Sequence, residues 1–202
     1  MWDRGRDVSV PHQLTFFSNG SKSDFLERLK VGKNRYRRYL GSPLRYAGGK
    51  SWAVGYVIEH LPENVKKLVS PFFGGGSIEI AVSKELGIQV LGFDIFDILV
   101  NYWQVQIKFP SELFNELERL KPTKEVYAQV KEDLKKHWKG EIKLPPIKLA
   151  AYYFFNHNLS YGPGFLGWMS SVYADENVYR KMIEKVKCYV NKFLSSVSSY
   201  HL

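Results

Sequence analysis

Cysteine is almost absent from this 202-residue sequence, and the single one, Cys188, cannot form a disulfide within the chain. One cysteine and five scattered histidines do not give the ligand spacing that zinc sites need. The sequence also lacks a run of about 18 apolar residues, and its first 20 residues lack a secretory signal. We therefore expect a cytoplasmic protein with no disulfide framework, no structural metal and no association with a membrane.

Charge is distributed unevenly along a chain that has enough hydrophobic residues, 45%, to bury a core. Residues 1–50 hold 11 Lys/Arg against 4 Asp/Glu, residues 51–110 hold 4 against 6, and residues 111–202 hold 14 against 10. Basic flanks around a mildly acidic centre suit a protein that holds a small ligand centrally and a polyanion outside. Basic residues that only keep a protein soluble would give the same pattern, so both explanations remain open.

Short apolar runs alternate with helical patterns in the middle of the chain. Residues 67–73 (KLVSPFF) and 89–93 (QVLGF) are typical of buried strands, and helices are predicted after them at residues 77–86 and 98–108. This order predicts a parallel α/β sheet. Other helices are predicted at residues 21–40, with a weak point at Gly32, and at 52–61, 111–120, 125–137, 146–156 and 175–194, with a loop or hairpin at 158–171 and a polar tail at the end.

Three consecutive glycines, Gly74 to Gly76, stand between the first strand and its helix. Because glycine has no Cβ, such a loop lets the backbone approach a ligand and direct its N–H groups at it. A P-loop would need a glycine at Leu44, before Gly49-Lys50-Ser51, and the dinucleotide fingerprint would need one at Glu79. Both patterns fail. The first failure argues against a P-loop that grips phosphates, and the second argues against a nicotinamide or flavin cofactor.

An acidic residue, Asp94, ends the second strand 20 residues beyond Gly74. A carboxylate at this place can accept hydrogen bonds from the two hydroxyls of a ribose. The residues therefore favour a pocket for a nucleoside. A tight glycine turn, with Asp94 capping the following helix, is the structural alternative.

These residues resemble the DNA adenine methyltransferases of the Dam type. Three blocks carry the resemblance in the order of that family: residues 43–50 (PLRYAGGK), 70–77 (SPFFGGGS), and 92–95 (GFDI) leading to 99–103 (LVNYW). A weaker block, residues 150–162, is similar to the segment that leads into the DNA-reading hairpin of the family. The resemblance covers residues 42–195 and implies an α/β fold: part of a Rossmann-like sheet that uses S-adenosylmethionine, joined to a mainly helical DNA-recognition region.

The resemblance also implies roles for particular residues. Asp94 would hold the ribose of S-adenosylmethionine, Ile95 would lie against its adenine, and Lys50 would lie near the methionine carboxylate or the target nucleotide. The implied cofactor-binding residues are Tyr46, Ala47, Gly48, Lys50, Phe72, Phe73, Gly74, Gly76, Asp94 and Ile95. For Tyr46, Phe72 and Phe73, packing in the core is an alternative explanation.

The resemblance further implies that double-stranded DNA is the partner, and holding a duplex requires cations at its phosphates. The candidate DNA-binding residues are Arg28, Lys33, Arg35, Arg37, Arg38, Asn156, Asn158 and Tyr161. A basic helix whose charges merely face solvent is an equal alternative for the arginines and the lysine. The predicted organisation is a basic arm and helix at residues 1–40, a cofactor-binding half at 41–108 and a helical target-recognition region at 109–202.

One motif of the family is missing from the sequence. Its members transfer the methyl group with Asp/Asn-Pro-Pro-Tyr/Phe after the DNA-reading region, and the Pro-Pro pair of this chain stands in Leu144-Pro145-Pro146-Ile147, without the polar and aromatic neighbours. No catalytic residue is therefore predicted in this chain. We expect a split enzyme, in which a second polypeptide supplies the motif and the remaining strands, or a fragment of a longer product.

Two kinds of function remain. The first is the cofactor-binding and DNA-recognition portion of a site-specific DNA adenine-N6 methyltransferase in restriction and modification. The second is a catalytically inactive module that binds S-adenosylmethionine or DNA. The absent motif favours the second, whereas an intact cofactor pocket favours the first. Methylation of RNA or of a small molecule conflicts with the order of the blocks.

Overall fold

The computed structural model describes residues 21–187 and the backbone of residues 194–199. The first 20 residues of the predicted arm, Cys188 and the end of the predicted last helix lie outside the described residues. In chain order the elements are α1 (Lys22–Leu29), α2 (Val54–Glu59), β1 (Lys67–Ser70), α3 (Ser77–Leu86), β2 (Gln89–Asp94), α4 (Asp97–Lys108), α5 (Pro110–Arg119), α6 (Lys124–Trp138), α7 (Pro146–Leu159), α8 (Glu176–Lys187) and β3 (Leu194–Ser199).

The described strands form one parallel sheet in the order β1, β2, β3. Ser70 at the end of β1 lies beside Gly92, and Asp94 at the end of β2 lies beside Ser199. Because the strands are parallel, their carboxyl ends meet at one edge of the sheet, where α/β proteins bind ligands. The predicted parallel sheet is confirmed, although β1 is three residues shorter than predicted.

The third strand corrects the prediction for the end of the chain. Residues 194–199 (LSSVSS) were expected to finish a helix and begin a polar tail, but they pair with β2. Four serines among six residues give none of the apolar alternation by which strands are recognised in a sequence. The segment at 109–202 is therefore not wholly helical, because the chain returns to the sheet after α8.

Helix α7 is the interior helix of the fold. Every residue from Leu149 to Leu159 is buried, and the helix packs against α4, α5 and α6. A helix that is apolar on all sides is stable in water only when neighbours surround it. Tyr102 of α4 stacks on Phe154 with ring centroids 6.0 Å apart. None of the described helices is long and apolar enough to cross a membrane.

The predicted basic helix at residues 21–40 is helical only in its first part. A capping box between Ser21 and Asp24 begins α1, which ends at Leu29. Lys30 then forms an antiparallel bridge with Tyr36 around a turn in which Gly32 has a φ of 74°. Glycine tolerates this left-handed conformation, so the predicted weak point at residue 32 is the place where the chain reverses.

Candidate functional site

The carboxylate of Asp94 joins the ends of β1 and β2. The backbone N–H of Gly74 donates to Oδ2 of Asp94 at 2.8 Å, and the N–H of Phe96 donates to its Oδ1 at 3.1 Å. An ionised carboxylate offers about four acceptor positions, so both oxygens can accept further hydrogen bonds. Asp94 is half-buried. It therefore supports the turn before α4 but does not cap that helix, whose N-cap is Phe96, and it still presents acceptors at the carboxyl edge of the sheet.

The glycine loop takes a backbone shape that other residues rarely adopt. Gly74 has a φ of 50° and Gly76, which precedes α3, has a φ of 67°. Tyr46 covers this loop so closely that a Cβ on Gly75 would lie 2.6 Å from the Cβ of Tyr46. The three glycines are therefore needed both for the turn and for the approach of Tyr46.

Tyr46 lies at the centre of the site. Burial raises the pKa of its phenol, and the charge of Asp94 raises it further. The ring of Tyr46 stacks on His157 of α7 at 5.5 Å, and His157 stacks on Tyr153 at 5.2 Å. Burial also raises the pKa of Tyr153 well above its ordinary value, and the nearby Tyr46 and Asp94 contribute to this increase. Two neutral phenols thus lie close to the carboxylate at the strand ends.

Phe73 is placed differently from the other predicted cofactor residues. Its side chain is buried, and it lies so close to Gly92 that a Cβ there would collide with its Cδ2. The ring also packs edge-on against Trp103 at 5.1 Å. The side chain of Phe73 is therefore packed in the core, as the packing alternative held.

The remaining predicted cofactor residues are accessible. Phe72 is 81% exposed and Ile95 is 64% exposed, and they follow β1 and β2 at the same edge. Ala47, Gly48 and Lys50 are also exposed. The ammonium of Lys50 donates to the carbonyl of Gly48 at 2.8 Å, which holds it beside its own loop. Large apolar side chains at this exposure, next to a carboxylate, suit a partly apolar ligand.

His157 is a residue that the sequence reading missed. It is 3% exposed, and neither ring nitrogen has a hydrogen-bond partner of good geometry among the described residues. Burial lowers its pKa to about 4; the Arg45 backbone opposes the decrease, and the Arg45 guanidinium adds to it. The imidazole is therefore neutral at physiological pH, and packing between Tyr46 and Tyr153 fixes its position. Only its place within the fourth block could have suggested a role.

The predicted hairpin after α7 is present, but the two asparagines expected to read bases lie within α7 and point inward. Ser160 and Met169 form its antiparallel bridge. Asn156 and Asn158 are fully buried, and Oδ1 of Asn156 accepts from the N–H of Leu166 at 2.8 Å. This bond supports Leu166 in a φ of 57°, which is unfavourable for leucine. In this structure Asn156 holds the hairpin and Asn158 bonds to the backbone of Arg45 and Pro43, so neither is presented to a duplex as predicted.

Two aromatic side chains project from the hairpin. Tyr161 is 80% exposed, as expected of a residue that contacts DNA, and Trp168, which the sequence reading did not single out, is 83% exposed. The ammonium of Lys131 lies 4.8 Å from the centroid of the Trp168 ring and donates to the carbonyl of Gly167 at 3.2 Å. The hydroxyl of Tyr127 donates to the same carbonyl at 3.0 Å. The hairpin is thus anchored on α6 while its aromatic residues face solvent.

Arg45, another missed residue, connects the Tyr46 loop to this hairpin. Its Nη1 donates to the carbonyls of Asn158 and Ser160 at 2.6 and 3.1 Å. Its guanidinium carbon lies 3.4 Å from the centroid of the Tyr173 ring. The backbone N–H of Arg45 donates to Oδ1 of Asn158 at 2.8 Å. Arginine provides such a planar, multiply bonded link, whereas lysine does not.

The predicted phosphate-binding residues of the N-terminal region are exposed but not equivalent. Arg28 forms an ion pair with Glu85 of α3 at 2.9 Å, and Nε of Arg38 donates to Oγ of Ser51 at 2.9 Å. Lys33, Arg35 and Arg37 lie on the turn after α1 and are exposed. The structure therefore divides the predicted group into side chains that bond to the protein and side chains that face solvent.

Comparison with known proteins identifies the class of this chain. The family model of D12 class N6 adenine-specific DNA methyltransferases matches residues 46–200, and the chain belongs to this family. The predicted resemblance to DNA adenine methyltransferases is confirmed. The chain is also similar to the type II methyltransferase M.FokI of Planomicrobium okeanokoites, with 28% identity over 85 residues. That match covers 39% of this chain and 13% of M.FokI, so this chain spans a small part of the relative.

Methyltransferase families use S-adenosylmethionine as the methyl donor, and the strand ends fit such a group. The cofactor has a ribose with two hydroxyls, and Asp94 has acceptor positions to spare. The left-handed Gly74 and Gly76 add no side chains of their own to the loop that follows β1. No group of three His, Cys, Asp or Glu residues that could hold a metal ion occurs in the described part of the chain.

Proposed function

We propose that this chain is the cofactor-binding and DNA-recognition portion of a site-specific DNA adenine-N6 methyltransferase that works in restriction and modification. The observation that carries the proposal is the Asp94 carboxylate, fixed at the carboxyl edge of a parallel sheet by the N–H of Gly74, in the glycine loop on which Tyr46 packs. Asp94 would accept hydrogen bonds from the ribose hydroxyls of S-adenosylmethionine. Phe72 and Ile95 would cover the apolar faces of the nucleoside, and the glycine loop would pass beneath it.

S-adenosylmethionine supplies an electrophilic methyl group on a sulfonium. The residues of this chain would bind it, orient it and exclude water from one side of it. Positioning of this kind accounts for much of the acceleration of a group transfer. The phenols of Tyr46 and Tyr153 are neutral at working pH and add no charge beside Asp94, and the partly exposed Tyr46 can offer a hydrogen bond to the cofactor.

Binding of S-adenosylhomocysteine to the chain, together with any partner it requires, tests the cofactor site when measured by calorimetry. Asp94→Asn keeps the size of the side chain and removes its charge, and we expect affinity to fall by about tenfold or more, the cost of one or two charge-assisted hydrogen bonds. Asp97→Asn, an exposed acid three residues further on, is the matched control and should bind normally. Equal affinity of both variants would contradict the proposed role of Asp94, and no binding by the unmodified chain would contradict the cofactor site.

We also propose that a second polypeptide completes the sheet next to β1. Within the described residues, β1 is an edge strand, and Val69 on it is 57% exposed. An edge with unpaired backbone groups and apolar side chains needs a covering element. The partner would bring the remaining strands and the Asp/Asn-Pro-Pro-Tyr/Phe motif, whose polar group and carbonyl would accept from the amine of an adenine swung out of the duplex.

Co-expression with the product of the neighbouring gene, followed by mass measurement of the complex, tests this completion. Val69→Lys places a charge on the open edge and should prevent the complex. Val31→Lys makes the same change at a 54% exposed position in the N-terminal turn and should not. A complex that forms equally well with Val69→Lys would show that the partner does not occupy the edge of β1.

A catalytically inactive binding module is the second candidate, and the absence of the Pro-Pro motif from the sequence favours it. Transfer of tritiated methyl groups to adenine-containing duplexes separates the two. Incorporation by the chain together with its partner supports an enzyme. Binding of cofactor and duplex without incorporation, in the presence of the partner, supports the inactive module.

A further inference from the structure

Two adjacent residues reach opposite parts of the molecule. Tyr46 packs on the glycine loop, where its Cε1 would lie 3.1 Å from a Cβ on Gly74. Arg45 reaches the end of α7 and the first residue of the hairpin through the carbonyls of Asn158 and Ser160. The two residues share one peptide unit, and the N–H of Arg45 donates to Oδ1 of Asn158 at 2.8 Å, so a shift of the backbone at Tyr46 also strains the contacts of Arg45 with α7.

The contacts of Arg45 are suited to holding the hairpin in one position. The carbonyls that it binds belong to Asn158 in the last turn of α7 and to its C-cap Ser160, where carbonyl groups have no partner within the helix and where positive charge is favourable. Tyr173 lies against the flat face of the guanidinium on the far side of the hairpin. One side chain thus fixes both the beginning of the hairpin at Ser160 and the segment that follows it.

A second, parallel connection consists of rings. Tyr46 stacks on His157, His157 stacks on Tyr153, and Phe165 in the hairpin packs against Tyr153 at 6.4 Å. Neither ring nitrogen of His157 has a hydrogen-bond partner of good geometry within the described part of the chain. Its position therefore depends on Tyr46 on one side and Tyr153 on the other.

We infer that Arg45 is a positioning residue that couples the cofactor pocket to the DNA-reading hairpin, so that filling the pocket favours the hairpin geometry that binds DNA. The inference rests on the proposed function. A ligand on the glycine loop contacts Tyr46, Arg45 carries the restraint to Asn158 and Ser160, and the exposed rings of Tyr161 and Trp168 are held in place. By thermodynamic reciprocity, DNA raises the affinity for the cofactor by the same factor.

A binding cycle tests the coupling. The affinity for a duplex oligonucleotide is measured with and without saturating S-adenosylhomocysteine, for the chain together with any partner it requires. We expect the analogue to tighten DNA binding by about 5- to 50-fold in the unmodified protein, an ordinary range for coupled sites. Arg45→Met should reduce this factor to less than about twofold, and Arg45→Lys should give an intermediate value because it keeps charge without the planar fork.

Three controls separate coupling from other roles. Arg119→Met, at an exposed arginine of α5 paired with Glu116, should leave the factor unchanged. Affinity of Arg45→Met for S-adenosylhomocysteine without DNA should stay within about twofold of normal, because Arg45 does not line the strand ends. If Arg45→Met does not fold, Tyr173→Leu removes the stacking contact alone and should reduce the factor partially.

Hydrogen exchange on the unmodified protein gives an independent measurement. The N–H of Tyr161 donates to Trp168 O and that of Ser170 donates to Leu159 O, so both report on the hairpin. S-adenosylhomocysteine should slow their exchange. An unchanged exchange rate, or an Arg45→Met variant that loses DNA affinity equally with and without the analogue, would overturn the inference while leaving the cofactor site intact. Failure of the unmodified chain to bind the analogue would instead remove the proposed function and the inference with it.

Discussion

The glycine loop after β1 and the hairpin after α7 each hold a residue in the left-handed conformation, but different contacts stabilise the two turns. Both are tight turns with a left-handed residue, at Gly74 and at Leu166. The conformation of the loop follows from its own three consecutive glycines, so the local sequence is sufficient to specify it. The hairpin places leucine in an unfavourable conformation and depends on Asn156, ten residues earlier, to hold it. One site is thus locally encoded, and the other is maintained by buried contacts that cross the fold.

Two tryptophans provide the largest test of this comparison. Trp103 is completely buried under the glycine loop and donates from Nε1 to the carbonyl of Gly74 at 2.9 Å, whereas Trp168 on the hairpin is 83% exposed. Trp103→Ala should lower the free energy of unfolding by about 3–5 kcal/mol, the usual cost of a large cavity. Trp168→Ala should change it by less than about 0.5 kcal/mol. Chemical denaturation measures both, and similar costs would contradict the placement of either ring.

The second test uses the buried imidazole that lies between the two regions. The pKa of His157 is lowered from 6.5 to about 4, mainly by burial, so the unfolded chain binds a proton that the folded chain does not. Stability should therefore decrease as pH falls from about 6.5 to about 4, by up to about 3 kcal/mol from this residue. His157→Phe keeps a ring in the stack between Tyr46 and Tyr153 and should remove that part of the pH dependence.

Denaturation of His157→Phe and of the unmodified chain at pH 7 and pH 5 checks this sign. The nearby charged group is the Arg45 guanidinium, and Tyr46 and Tyr153 are neutral throughout the range. His60→Gln, at an exposed histidine beyond α2, is the control and should keep the slope. If the stability of His157→Phe decreased between pH 7 and pH 5 as much as that of the unmodified chain, other groups would be responsible for the pH dependence.

The same comparison explains what the sequence could reveal. The glycine loop, Asp94 and the first two strands were predicted because short contiguous patterns determine them. Strand β3 could not be predicted, since LSSVSS has no strand pattern and gains its conformation from pairing with β2. Arg45 and His157 were missed because their roles depend on contacts between the Tyr46 loop and α7, which are more than 100 residues apart in the sequence. Burial of Asn156 and Asn158 depends on the same tertiary contacts, which no local pattern reports.

The third test concerns the exposed surface of the hairpin. If Trp168 contacts DNA, Trp168→Ala should weaken binding of a duplex by about tenfold, comparable to the loss of one stacking contact with a base. Trp52→Ala removes a 64% exposed tryptophan just before α2 and should bind DNA normally. Fluorescence anisotropy with a labelled duplex measures both. Equal affinities for the two variants would mean that the exposed ring of the hairpin lies away from the duplex.

The smallest expected effect is a change in the salt dependence of DNA binding, and it distinguishes exposed arginines from an arginine that is already in an ion pair. Arg35 and Arg37 face solvent on the turn after α1, whereas Arg28 is paired with Glu85. Each phosphate contact contributes about 0.9 to the slope of log affinity against log salt concentration on a DNA duplex. Arg35→Gln with Arg37→Gln should therefore reduce that slope by up to about 2, while Arg28→Gln should reduce it by less than about 0.5, because its charge is already partly neutralised by Glu85. A slope that changes as much for Arg28→Gln would mean that the ion pair opens when DNA binds. A slope unchanged in the double variant would place the duplex on the hairpin side of the molecule and assign the N-terminal charges to solvation.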